Sequence, residues 1–90
     1  MEITWDDRKE LANLQKHGVS FDEAATVILN PLSLFNLNEH QSGKRFEYIG
    51  HSQLGRILYV VTIEERDDCA HILSARKATT HEREKYEKGI

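Results

Sequence analysis

The spacing of apolar residues divides this chain into two helical stretches, four strand-like stretches and a closing helix. Leu11 and Leu14 follow Asp7-Arg8-Lys9-Glu10, in which an N-cap acceptor stands three residues before a glutamate. Lys16-His17-Gly18 then supplies a basic last turn and a left-handed stop, so a first helix is expected over 8–17. Ser20-Phe21-Asp22-Glu23 repeats the capping box ahead of Ala24, Ala25, Val27 and Ile28. Asn30-Pro31 ends this second helix, because the residue before a proline is pushed out of the α region. The two helices should form a tight corner.

From Leu32 the period drops to two. Leu32-Ser33-Leu34 and Phe35-Asn36-Leu37-Asn38 alternate, with a phase slip at Leu34-Phe35 that reads as a bulge. Glu39 to Gly43 is polar and predicts a loop. Arg45–Ser52 and Arg56–Glu64 flank Gln53-Leu54-Gly55, a short hairpin turn with its glycine at the positive-φ position. Ile57 to Ile63 is nearly unbroken apolar and β-branched sequence, the mark of a central strand buried on both faces. After the turn at Glu65-Arg66-Asp67-Asp68, strict alternation over Cys69–Arg76 would put Ile72 and Ser74 on one face and His71, Leu73 and Ala75 on the other. Thr79-Thr80-His81-Glu82 caps a last helix that runs to Lys88 before Gly89. The order ααββββα, without βαβ alternation, predicts an α+β fold: two N-terminal helices, an antiparallel sheet and a C-terminal helix. The sheet has four strands, or five if Ile3-Thr4-Trp5 joins as a short edge strand.

Ninety residues without a low-complexity tract or linker make one domain, 1–90. One cysteine, Cys69, excludes a disulfide framework, and its lone thiol together with a start lacking basic and apolar leader regions points to the cytoplasm. No stretch has the length of a membrane span. Net charge is −3, which argues against non-specific coating of nucleic acid. The charge is segregated, however: residues 1–30 and 64–70 carry the acidic excess, while 40–63 and 71–90 are each net +2. A fold that joins the two basic segments would create an anion-binding face.

Three blocks then stand out: Lys16-His17-Gly18-Val19-Ser20-Phe21-Asp22-Glu23-Ala24; Ile49-Gly50-His51-Ser52 with Gly55-Arg56; and Ser74-Ala75-Arg76-Lys77-Ala78-Thr79 with Glu82 and Tyr86 behind. In residues, order and separation the chain resembles the BrnT toxin family. The resemblance implies a RelE-like fold, ribonuclease activity, growth arrest when unopposed, and neutralisation by a BrnA-type antitoxin in a type II pair. It also implies a higher-order complex in which DNA is bound only indirectly, through the antitoxin. The chain departs from the family pattern at Gly43-Lys44, often an acidic pair, and at His71, often an arginine.

Metal-independent RNA cleavage needs a base for the 2′-hydroxyl, cations on the developing phosphorane charge and an acid for the leaving 5′-oxygen. Arg45, Arg56 and Arg76, on or at the ends of predicted strands, suit the cationic role, since a guanidinium fork matches phosphate oxygens. The expectation is that they converge on one polyanion pocket. The competing readings are ordinary ion pairs, Arg45 and Arg56 with Glu47 or Glu64 and Arg76 with Glu82. His51, between Arg45 and Arg56, and Glu47 are the proton-transfer candidates. Lys16, Lys77 and His71 are expected to add RNA-binding charge. His17 reads as a helix-end cap, and His40 and His81 as surface positions. Trp5, Phe21, Phe35, Phe46 and Tyr59 are assigned to the core, as is Tyr48, in phase with Phe46; Tyr86 is expected to pack the last helix on the sheet. No metal and no cofactor are expected. The alternative function is a catalytically inactive partner-binding module.

Overall fold

The computed structural model describes residues 1–40 and 43–89. Its elements are β1 (Glu2–Trp5), α1 (Asp7–His17), α2 (Phe21–Leu29), β2 (Leu34–His40), β3 (Gly43–His51), β4 (Ile57–Arg66), β5 (Cys69–Lys77) and α3 (Thr80–Lys88). The five strands lie in the order β1-β5-β4-β3-β2. β2 to β5 pair antiparallel, as expected, while the short edge strand β1 runs parallel to β5 and makes the sheet mixed. The polar loop expected over 39–43 is narrower, because β2 extends to His40 and β3 starts at Gly43. Gln41 and Ser42 lie outside the described residues, as does the side chain of His40. No helix among the described residues is long and apolar enough to cross a membrane.

The helices are capped close to where the sequence places them, with one cap shifted by a residue and two glutamates taking other partners. Asp6, not Asp7, caps α1, accepting from the amides of Arg8 (2.8 Å) and Lys9 (3.2 Å). Glu10 does not reach back. Its carboxylate crosses to the Phe21 amide at 2.9 Å and so ties α1 to the start of α2. Ser20 accepts from the Glu23 amide at 3.1 Å, but the Glu23 carboxylate turns away to the sheet instead of closing the box. Only the Thr79/Glu82 box on α3 is complete.

One face of the sheet packs against α1 and α2. Val19, Phe21, Ala24, Val27 and Ile28 meet Tyr48, Leu58, Val60, Ile72 and Ala75 there, with Ile3, Trp5, Ala25 and Phe46 at the margin. Asn13 is the polar bolt of this core: its amide nitrogen donates to the carbonyls of Val19 (2.9 Å) and Ala75 (2.8 Å), and its oxygen accepts from the Ala75 amide. Burying that amide is tolerable because its hydrogen-bonding groups are used.

Three expectations change on this frame. β2 is regular from Leu34 to His40, so the slip at Leu34-Phe35 marks the start of the strand and not a bulge. Leu32 and Ser33 belong to the turn, where Ser33 Oγ donates to the Val27 carbonyl at 2.8 Å. β4 is fully buried on one face only: Leu58, Val60 and Thr62 have no exposed surface, while Tyr59, Val61 and Ile63 are half-buried on the other. Phe35 is not core. It sits on the edge strand, 58% exposed, stacked on Phe46 at 5.1 Å.

The bulges lie elsewhere. Val61 faces Ser74 but Thr62 faces Ile72, which leaves Leu73 as an extra residue in β5. This inverts the alternation. Ile72 and Ala75 both enter the core, and Ser74 and Arg76 join Val61 and Tyr59 on the opposite face. The facing of Arg76 is therefore set by a bulge that strict alternation does not foresee.

Candidate active site

The ends of three strands and the start of α3 meet at one edge of the molecule. His51 ends β3, and the turn after it is closed by hydrogen bonds from the Ser52 amide to the Arg56 carbonyl (2.8 Å) and from the Gly55 amide to the Ser52 carbonyl (2.9 Å). Gly55 holds φ at 78°, which a side chain would resist. Lys77 ends β5, and the Ala78 amide donates to the Ile57 carbonyl at 3.0 Å, fixing where the chain enters α3. His51, Gly55, Arg56, Ile57, Lys77, Ala78 and Arg83 surround a cleft of about 340 Å³. His51, Lys77 and Arg83 are exposed, and the Tyr86 hydroxyl lies 3.1 Å from His51 Nδ1 with the rings edge to face. Arg56, Lys77 and Arg83 give this opening a positive lining, with the His51 imidazole beside them.

Arg56 borders this cleft but is committed inward. Its Nε donates to Glu23 Oε2 at 2.9 Å, and its Nη2 donates to Glu23 Oε1 and to the Gly18 carbonyl. Glu23 also accepts from Ser52 Oγ at 2.7 Å. The hydrogen bonds from Arg56 hold the Glu23 carboxyl below its usual range despite burial, and Glu23 in turn raises Arg56. Arg76 is bound as firmly to Glu82, through Nη1 at 2.8 Å and Nη2 at 2.9 Å, with its guanidinium 4.3 Å from the Tyr59 ring centre. That pairing lowers Glu82 and raises Arg76.

The expected convergence of Arg45, Arg56 and Arg76 does not occur. Arg56 turns to α2 on the helix-covered side, whereas Arg76 lies with Tyr59 on the opposite face under α3, and each has its own carboxylate. The ion-pair reading holds for both, with Glu23 as the unforeseen partner of Arg56. The structure instead brings together His51, Arg56 and Lys77 of the expected residues and adds Arg83 and Tyr86.

The remaining candidates lie on the face that carries Tyr59. Register pairs Arg45 with Ile63, Ile63 with His71, Glu47 with Val61 and Tyr59 with Arg76, so these side chains share one surface. His71 Nδ1 is 2.8 Å from Thr4 Oγ1 on β1, which places it near the far edge of the sheet from His51. Arg45 is half-buried, and among the described residues its buried Nε has no hydrogen-bond partner. Tyr59, expected in the core, is pushed up to about 12, first by burial and then by a hydrogen bond with Glu47. Lys16 is exposed on the last turn of α1. Arg83 and Tyr86, spaced three apart, share a helix face; Tyr86 also stands behind the third sequence block, whereas for Arg83 the spacing is the available signal. Glu23 stands in a capping box and in the first sequence block, and neither points to Arg56 as its partner.

Comparisons with known proteins identify a family and a shared fold. The family model described as "Ribonuclease toxin, BrnT, of type II toxin-antitoxin system" matches residues 5–82. The crystal structure of the Brucella abortus ribonuclease toxin BrnT superposes with a TM-score of 0.66 at 22% identity, over 89% of this chain and 99% of that one. That likeness shows a shared fold. No curated protein matches the chain. With the family model spanning the helices, the sheet and the start of α3, this chain belongs to the BrnT family of ribonuclease toxins of type II toxin–antitoxin systems.

Proposed function

We propose that this chain is a metal-independent endoribonuclease that acts in the cytoplasm and cleaves RNA in the cleft at the end of the sheet. The observation that carries this reading is the gathering of His51, Arg56, Lys77 and Arg83 around one opening. Such a lining attracts a phosphodiester and repels a divalent cation. His51 is the base: it takes the proton of the 2′-hydroxyl as that oxygen attacks phosphorus, and Tyr86 holds the ring through Nδ1. The bond from phosphorus to the 5′-oxygen breaks, and the Lys77 ammonium gives that oxygen its proton. The products are a 2′,3′-cyclic phosphate and a 5′-hydroxyl. Arg83 stabilises the charge on the non-bridging oxygens, while Arg56 braces the cleft from below. Arg45, Glu47, Arg76 and His71 take no part in the proton transfers, because Arg76 is held by Glu82 and the others lie further along the sheet.

The family implies an antitoxin partner. A BrnA-type antitoxin that places acidic or carbonyl groups in the same cleft would block RNA, and operator DNA would be reached only through that partner in a higher-order complex. The test is incubation of the purified chain with RNA in chelator, followed by end analysis. Cleavage leaving cyclic phosphate and 5′-hydroxyl ends is expected; no cleavage, or 5′-phosphate ends, overturns the mechanism. The two carboxylate-bound arginines favour a second reading, a partner-binding module without catalysis. That reading requires antitoxin binding together with intact RNA.

A further inference from the structure

On the same face of the sheet as His51, but further back along β3, a second cavity of about 370 Å³ is lined by Leu34, Phe35, Asn36, Glu47 and Ile49 of β2 and β3 and by Lys85 of α3. Its floor has two rungs. Leu34 pairs directly with Ile49, and Asn36 directly with Glu47, so an apolar rung lies beside a polar one. An apolar rung suits the face of a flat ring, and the polar rung beside it suits the ring's hydrogen-bonding edge. Lys85 stands over the opening as a cation for a phosphate. Glu47 lies four residues from His51, about 13 Å along the strand. Arg83 lines the cleft and Lys85 this cavity, two residues apart on α3.

We propose that this cavity is a nucleobase-selecting subsite for guanine, with Glu47 and Asn36 as its specificity-determining residues. A carboxylate offers two acceptors side by side, and guanine alone among the four RNA bases presents two adjacent donors, N1–H and N2–H, on one edge. Its O6 takes a hydrogen bond from the Asn36 amide, while the ring lies against Leu34 and Ile49. Tyr59, in the adjoining strand, donates to Glu47, which also lines the cavity. The inference deepens the cleavage reading and rests on it for its biological use: one RNA strand would place a guanine here and its scissile phosphate at the cleft.

The test uses the full chain and four 5′-nucleoside monophosphates, GMP, AMP, CMP and UMP, titrated by NMR, with inorganic phosphate as the probe of the cleft. GMP should bind about tenfold or more tightly than the others, the discrimination that one bidentate base contact gives, and should shift the amides of Glu47 and Ile49. Glu47→Gln keeps a carbonyl acceptor for Tyr59 but not the second acceptor for guanine. It should abolish the GMP preference and leave inorganic phosphate binding unchanged. Exposed Asn36→Ala should weaken GMP alone, with an unaltered melting temperature. Equal binding of the four nucleotides, or a GMP preference that survives Glu47→Gln, would overturn the subsite. RNA cleavage without a GMP preference defeats this inference alone, whereas GMP preference in a chain that cleaves no RNA defeats the cleavage reading and leaves the base seat standing.

Discussion

Removing the Arg56 side chain tests whether this arginine is framework or ligand. Its guanidinium, 31% exposed, is the principal compensation for the Glu23 carboxylate, which is 4% exposed. In Arg56→Ala that carboxylate keeps only the Ser52 hydroxyl as a side-chain donor, and the Gly18 carbonyl loses its guanidinium partner as well. Breaking a buried pair from one side costs 3–5 kcal/mol; with Arg56 partly in water the lower end applies, about 3 kcal/mol. For a chain of this size that corresponds to a fall in Tm of about 12–24 °C. Urea unfolding at neutral pH measures the loss directly. Glu23→Gln in the Arg56→Ala background should recover much of it, because an amide leaves no buried charge.

The pH dependence of the same pair follows from its sign. Glu23 is held below its ordinary value of 4.5, so the stability it contributes is present in full above that value and is lost as pH falls through the lower folded value. The gap between the parent chain and Glu23→Gln should thus be constant from neutrality to about pH 5 and shrink below it. If Arg56→Ala unfolds within about 0.5 kcal/mol of the parent, as an unremarkable surface change would, the bracing role is refuted and Arg56 returns to the pool of phosphate ligands.

Other consequences are independent of that pair. Asn13→Ala deletes the bolt between α1, Val19 and Ala75 and should cost about 3 kcal/mol in urea unfolding, since it strands buried backbone groups. Gly50→Ala places a methyl 2.0 Å from Ser33 Oγ, and the overlap should cost about 1–3 kcal/mol, relieved by Ser33→Gly in the same chain. In an ultraviolet alkaline titration, Tyr59→Phe should remove a phenol that ionises only near pH 12; because its proton is held more tightly when folded, its contribution is complete below about pH 10 and lost as pH rises toward 12.

The parts of the fold legible in the sequence are those set by local chemistry. Gly18, Ser20, Thr79 and Gly89 mark helix ends by what their own backbone or hydroxyl does, and each end is where they place it. Side chains with a choice of distant partners were not legible. Glu10 and Glu23 both have the capping-box spacing, yet each finds a stronger use across the fold, at the Phe21 amide and at Arg56. The Leu73 bulge has no local signature and decides which face Arg76 occupies. The site was legible to the same extent: the His51, Arg56 and Lys77 segments do meet, but the arginine geometry required knowing which carboxylates would be near.

The account stands on His51 acting at the cleft. Single-turnover RNA cleavage in chelator should fall by about 10²-fold or more in His51→Ala, with the melting temperature unchanged because the ring is exposed. Cleavage by His51→Ala at the parent rate would contradict it.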